Sequence, residues 1–213
     1  MADTLSMYAQ SHPHKTAVID DRPDGTVVTW TYAELEAQSN RVANLLLSLG
    51  AGPGKKVLWC APNSPHVVAV MTATRKIGAV AVPLNYRLTP EEALYVIDHS
   101  DAEVTYVDSE QAPMFAALRG KLEKVRHVIA VGGPAPDGML ADADIAAAPR
   151  TAPDVGDAAD EGGTMFYTSA IVLSDMLQMP DLAVHLGRRL LASGRFFVEY
   201  DENFTSCEKS SGK

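Results

Sequence analysis

The chain has 213 residues, of which 46% are hydrophobic and 21% charged, a profile that excludes a disordered chain and allows one sizeable domain or two small ones. Its formal net charge of -9 gives no electrostatic support to a nucleic-acid or anionic-membrane role. In chain order, "HKTAVIDD" and "GTVVTW" predict two short strands around the turn Arg22-Pro23-Asp24-Gly25. The segment "TYAELEAQSNRVANLLLSLG" opens with Thr31 and Glu34, the spacing of a capping box. Leu35, Val42, Leu46 and Leu49 then recur at helical spacing, and Gly50 can take the left-handed conformation that ends such a helix.

"KKVLWCAP" reads as a strand buried on both faces. Asn63 or Ser64 can cap the next helix, with Pro65 in its first turn and Gly78 at its end. "AVAVP" is a second buried strand. Thr89-Pro90-Glu91-Glu92 is another capping box and opens the helix "EEALYVIDHS". "AEVTYVD" is a third strand, "QAPMFAALRGKLEKV" a helix and "HVIAVGG" a fourth strand. From Gly132 to Gly162 the Ala, Asp, Gly and Pro content predicts a long surface loop with one helical turn. A β-prone run, Thr164 to Thr168, follows. The alternation predicts an α/β fold with a largely parallel sheet flanked by helices.

Beyond it the chain changes character. A helix is expected around 181–191, a short strand at 195–200 and a mobile polar tail. Met, Phe, Ser and Cys enter as the earlier style fades, which marks either a junction of segments or local variation. Cys60 lies in an apolar run and reads as a buried, unreactive thiol. Together with Cys207 it makes neither a disulfide framework nor a zinc site. The N-terminus shows no secretory signal, and no apolar run approaches the about 20 residues that span a bilayer, so the expected location is the cytoplasm. The sequon Asn203-Phe204-Thr205 is then accidental.

Several tempting motifs have plainer readings. "GAGPGKK", Gly50 to Lys56, lacks the Gly-x-x-x-x-Gly-Lys-Ser/Thr spacing and joins a helix to a strand, so it reads as a helix stop and turn. His12 and His14 read as surface residues. His66, His99, His127 and His185 are scattered, with no recognisable nucleophile beside them. Asp20-Asp21 and Asp157, Asp160 and Glu161 read as solvated loop charges. Arg87 in "PLNYRL" reads as a buried or semi-buried structural arginine, with an approach to a cleft as the second reading.

Four stretches carry a family resemblance: the helix after Thr31, the long run "GKKVLWCAPNSPHVVAVMTATRKIGAVAVPLNYRLTPEEALYVIDHSDAEV", the phrase "VPLNYRLTPEE" within it, and "GGTMFYTS". Together they resemble the N-terminal subdomain of the AMP-forming acyl-CoA synthetases, closer to the fatty-acyl branch than to peptide-synthetase adenylation domains. The resemblance covers residues 1–169; residues 170–213 form a divergent helix–strand segment with its tail. In the family a Gly-Thr-Thr-Gly-x-Pro-Lys-Gly loop follows the "YTS" strand, so Thr168 and Ser169 stand where a phosphate loop begins. Ala170-Ile171-Val172-Leu173 follow instead. They supply neither the glycines that let backbone N–H groups converge on phosphate nor a lysine.

For the full family the resemblance implies ATP, Mg²⁺ and coenzyme A. A carboxylate is activated as acyl-AMP and passed to the thiol. For this chain it implies no cofactor, no metal site and no catalytic residue, with Thr168 and Ser169 as a nucleotide-binding remnant. The expectation is a truncated ligase, inactive alone. The alternative is a non-catalytic interaction or acyl-binding module. In either case a homodimer or partner contact would use the face that a second subdomain covers in the family.

Overall fold

The computed structural model describes residues 4–22, 24–156 and 162–167. The chain begins with a helix the sequence reading did not anticipate, α1 (Thr4–Ser11). β1 (Thr16–Asp21) and β2 (Val27–Thr31) then form a two-stranded antiparallel ribbon. Gly25 turns it at φ 85°, a conformation that costs a residue without Cβ little.

α2 (Tyr32–Ser48) starts at Thr31. The Thr31 hydroxyl accepts from Glu34 N at 3.2 Å, and Thr31 N donates to the Glu34 carboxylate at 2.8 Å. The capping box is therefore formed, and it satisfies donors that a helix start leaves unpaired. Leu35, Val42 and Leu46 are buried along the helix, and Leu49 packs against the same core.

Among the described residues the main sheet has five parallel strands: β3 (Lys56–Cys60), β4 (Val80–Pro83), β5 (Val104–Asp108), β6 (His127–Val131) and β7 (Gly163–Thr164). Their order is β6-β5-β3-β4-β7. α3 (Pro65–Lys76) links β3 to β4, α4 (Pro90–His99) links β4 to β5, and α5 (Ala112–Leu118) links β5 to β6. The first crossover moves one way along the sheet and the next two move the other way. Right-handed connections therefore place α3 on one face and α4 and α5 on the opposite one. On the α3 side, Val42, Leu46, Val57, Val70, Ile77, Tyr106, Ile129 and Ile145 form one buried cluster. The period of two along each strand sends Leu58, Val107 and Val128, also buried, to the other face. Among the described residues no helix is long and apolar enough to cross a membrane.

The structure corrects three local expectations and refines a fourth. The segment after Gly132 is largely exposed and irregular around one short helix, as expected, but it is tied to the core. Leu140 bridges to Ile129 on the outer side of β6, and α6 (Asp142–Ala147) packs on α2 with Ile145 fully buried. The helix expected through Val125 ends at Leu118 and tightens into a 3₁₀ turn, Arg119–Lys121. Ser64 is the N-cap of α3 by position, but its hydroxyl makes no capping bond. The strand expected from Thr164 onward spans Gly163–Thr164 among the described residues, and Thr168 lies outside them. Residues 170–213, with the helix and strand expected there, lie outside the described residues.

Candidate functional site

In an open parallel sheet, ligands bind beyond the carboxyl ends of the strands, where the crossovers diverge. Here that place is the end of β3, flanked by β4 and β5. Cys60 closes β3, fully buried, and burial pushes its thiol up to about 12. The loop after it leads to His66 in the first turn of α3, whose ring meets Trp30 edge-on at 5.5 Å. Burial lowers the His66 pKa, opposed by the nearby carboxylates of Asp142 and Asp108. Asp108 ends β5 and accepts from Glu110 N at 2.9 Å; Asp142 accepts from Gly132 N, just past β6, at 3.0 Å.

The strands' amino ends carry both signs of charge, paired with one another. Lys55 and Lys56 at the start of β3 pair with Glu103 and Asp101, Lys124 with Asp101 and Asp98, and Arg126 with Glu103. Lys55 and Lys56, the residues that gave "GAGPGKK" its look of a phosphate loop, are thus committed to carboxylates. The segment itself is a helix stop and turn, with Gly50 at φ 86° and Gly54 at φ 69°.

A triphosphate needs converging N–H groups and a cation. The described carboxyl edge carries Asp108 at the end of β5 and Asp142 past the outermost strand, β6. Among the described residues no group of three His, Cys, Asp or Glu side chains could hold a metal ion. Thr168 and Ser169, the expected remnant of a phosphate loop, lie outside the described residues, as do His185, Asp157, Asp160 and Glu161.

Other candidates fall where elementary chemistry puts them. Arg87 is neither buried nor semi-buried: its side chain is exposed, with the guanidinium carbon 5.4 Å from the Tyr86 ring centroid. It follows β4 in a turn where Arg87 N donates to Asn85 at 3.0 Å, a structural setting. His12 and His14 are exposed. Asp20 is partly covered and pairs with Arg22 at 2.9 Å, so it is more than a solvated loop charge.

The sequence reading missed the surroundings of Tyr167, the last described residue before Thr168. Its hydroxyl lies 2.8 Å from His99 Nδ1, and His99 stacks on Tyr95 with centroids 5.6 Å apart. The four-residue spacing of Tyr95 and His99 on α4 was the available signal.

Two residues explain how the chain is delivered to β7. Asn44 donates to the carbonyls of Pro149 and Thr151, each at 2.9 Å, and Asn40 donates to that of Arg150 at 3.1 Å. Gly162 then enters against β4. A Cβ at that position would stand 3.0 Å from the Ala79 carbonyl oxygen.

Comparison with known proteins agrees with this architecture. A family described as AMP-binding enzyme matches residues 5–170. The 3-hydroxybenzoate–CoA ligase of Aromatoleum sp. (strain CIB) is 32% identical over 181 residues, which are 78% of this chain and 35% of that protein. The 3-hydroxybenzoate–CoA/4-hydroxybenzoate–CoA ligase of Thauera aromatica is 42% identical over 106 residues, 50% of this chain and 20% of that protein. Among solved structures, a Mycobacterium tuberculosis fatty acyl CoA synthetase superposes with a TM-score of 0.65 at 29% identity, over 78% of this chain and 32% of that one. The chain thus spans about a third or less of each of these proteins.

Proposed function

This chain belongs to the AMP-binding enzyme family, and on that premise we propose that it is the N-terminal portion of an ATP-dependent, AMP-forming acid–CoA ligase whose 213 residues alone do not adenylate an acid. In such a reaction a carboxylate attacks the α-phosphate of ATP, pyrophosphate leaves, and the thiol of coenzyme A takes the acyl group from acyl-AMP. The rate rests on positioning and on stabilising phosphate charge.

One observation carries the claim of inactivity: Ala170-Ile171-Val172-Leu173 stand after Ser169, where bulky side chains keep backbone amides from closing on a phosphate and no cation is supplied. The acid is proposed to be an aryl or fatty carboxylic acid, because the similar proteins are ligases of hydroxybenzoates and of fatty acyl groups. The lack of a nucleic-acid partner is part of the same reading, supported by the net charge of -9, and the cytoplasm is the proposed location.

The test is ATP–pyrophosphate exchange by the purified chain with 3-hydroxybenzoate, 4-hydroxybenzoate and a series of fatty acids. No exchange above background with any acid is expected. Robust exchange with one of them would overturn the claim of inactivity and identify the acid at once.

A further inference from the structure

Pairing alone holds β7 weakly. Gly163 and Thr164 lie opposite Val80 and Ala81, and beyond them Met165 N donates to the Ala81 carbonyl at 2.9 Å. Gly162 and Gly163 bring no side chains, Thr164 is exposed, and Phe166 is 69% exposed. Packing on the α3 side therefore contributes little to fixing this end of the sheet.

The other face differs. Strand alternation puts Met165 and Tyr167 on the side opposite Thr164 and Phe166, the side of α4. There the Tyr167 hydroxyl meets His99 Nδ1 at 2.8 Å, and the two rings cross at 90° with centroids 5.6 Å apart. His99 in turn lies on Tyr95 at an interplanar angle of 26°. Both ring geometries are favourable for aromatic pairs. The hydroxyl can donate to an unprotonated Nδ1 or accept from a protonated one. α4 is a firm base for this contact, since Thr89 and Glu92 cap it and Ala93, Val96 and Ile97 are buried beneath it.

We propose that Tyr95, His99 and Tyr167 form an aromatic clamp in which His99 is a positioning residue, fixing the end of β7 and so the point from which residues 168 onward depart. The interest of that point rests on the proposed ligase reading, in which the next residues lead toward phosphate. The clamp itself does not depend on that reading, and its test involves no nucleotide.

Hydrogen exchange of the Met165 amide, followed by NMR in the full chain, reads the clamp directly. Tyr167→Phe should accelerate that exchange about fivefold, the effect of losing one ordinary hydrogen bond, and His99→Ala at least as much, since it removes the ring contacts as well. The double variant should exchange no faster than His99→Ala, which already removes that hydrogen bond. His99→Asn, which keeps a hydrogen-bonding atom near the Nδ1 position, should restore most of the protection. The ¹⁵N shift of His99 Nδ1 should move in Tyr167→Phe, while amide exchange at Leu58 and Thr105 stays unchanged. Met165 exchange that is unaltered in both single variants, or accelerations that multiply in the double variant, would overturn the proposal.

Discussion

The Lys76 ammonium reaches both carboxylate oxygens of Glu36, hydrogen-bonding Oε1 at 3.0 Å and standing 2.9 Å from Oε2, with the lysine side chain only 3% exposed. Ser6 of α1 donates to the same carboxylate at 2.8 Å and accepts from Lys76 at 3.0 Å, while Asn40 donates at 3.1 Å. One acidic residue on α2 thus gathers α1 and α3 around it. A buried charge of this kind is tolerable because it is paired and hydrogen-bonded.

Removing one partner should therefore be costly. Lys76→Met leaves the Glu36 carboxylate uncompensated, and a loss of about 3 kcal/mol or more in unfolding free energy is expected, read from urea denaturation. A Lys76→Met/Glu36→Leu double variant should recover most of that loss. Equal destabilisation by the single and double variants would show that packing, not the unpaired charge, sets the cost.

Cys60 gives a pH dependence with a definite sign. Burial raises its thiol from an ordinary 9.0 to about 12 in the folded chain. Between those values the unfolded chain has released a proton that the folded chain keeps, so folding stability falls as pH rises through this window. Its contribution is fully present below pH 9. Native protein at pH 8 should leave Cys60 unmodified by iodoacetamide, with rapid labelling only in denaturant, as mass spectrometry of the Cys60 peptide would record. Labelling at a free-thiol rate under native conditions would contradict the burial.

The capping boxes predict a smaller effect. Hydrogen bonds from Thr31 and Thr89, the backbone donors foremost, hold the Glu34 and Glu92 carboxyls below their usual range. This support is present above the ordinary carboxylate pKa and fades as pH falls through the lowered one. Thr89→Ala should cost about 1 kcal/mol at neutral pH, measurable by thermal or urea unfolding, and the difference from wild type should shrink in acid.

Gly162→Ala probes the entry to β7. The new methyl would press on the Ala79 carbonyl oxygen at 3.0 Å and on Gly78 at 3.2 Å. Faster exchange at Met165 is expected with little change in global stability, because so short a strand contributes little to the core. An unchanged Met165 rate would mean that β4 yields to the methyl without releasing its neighbour.

What could be read from the sequence was what is local. The Thr31–Glu34 and Thr89–Glu92 pairs announce their helices within four residues, and both boxes form. The continuous apolar runs of β3 and β5 could be recognised because strands covered on both faces need no alternation. α6 was legible only as one unplaced helical turn, because its hold on the core is a single residue, Ile145, within an alanine- and aspartate-rich stretch that shows no period. β7 was expected to be longer because Met165, Phe166 and Tyr167 favour strands, yet its regular register covers Gly163 and Thr164, with one further hydrogen bond from Met165 N. The contact between Tyr167 and His99 joins residues 68 positions apart; the spacing of Tyr95 and His99 marks an aromatic pair on α4 but does not encode its meeting with Tyr167. Thr168 and Ser169 were singled out by family resemblance, and they lie outside the described residues.

The grip of Asn40 and Asn44 on the carbonyls of Pro149, Arg150 and Thr151 spans 105 to 110 positions of chain. Contacts so distant are slow to close during folding, since the loop between them must first give up its freedom. Strands β3 to β6 and their helices can assemble before the returning segment finds α2, with β7 joining them afterwards. Pulse-labelled refolding should accordingly protect the Thr105 amide ahead of Met165. On a ribosome the same order makes the first four strands a scaffold already standing when the fifth emerges.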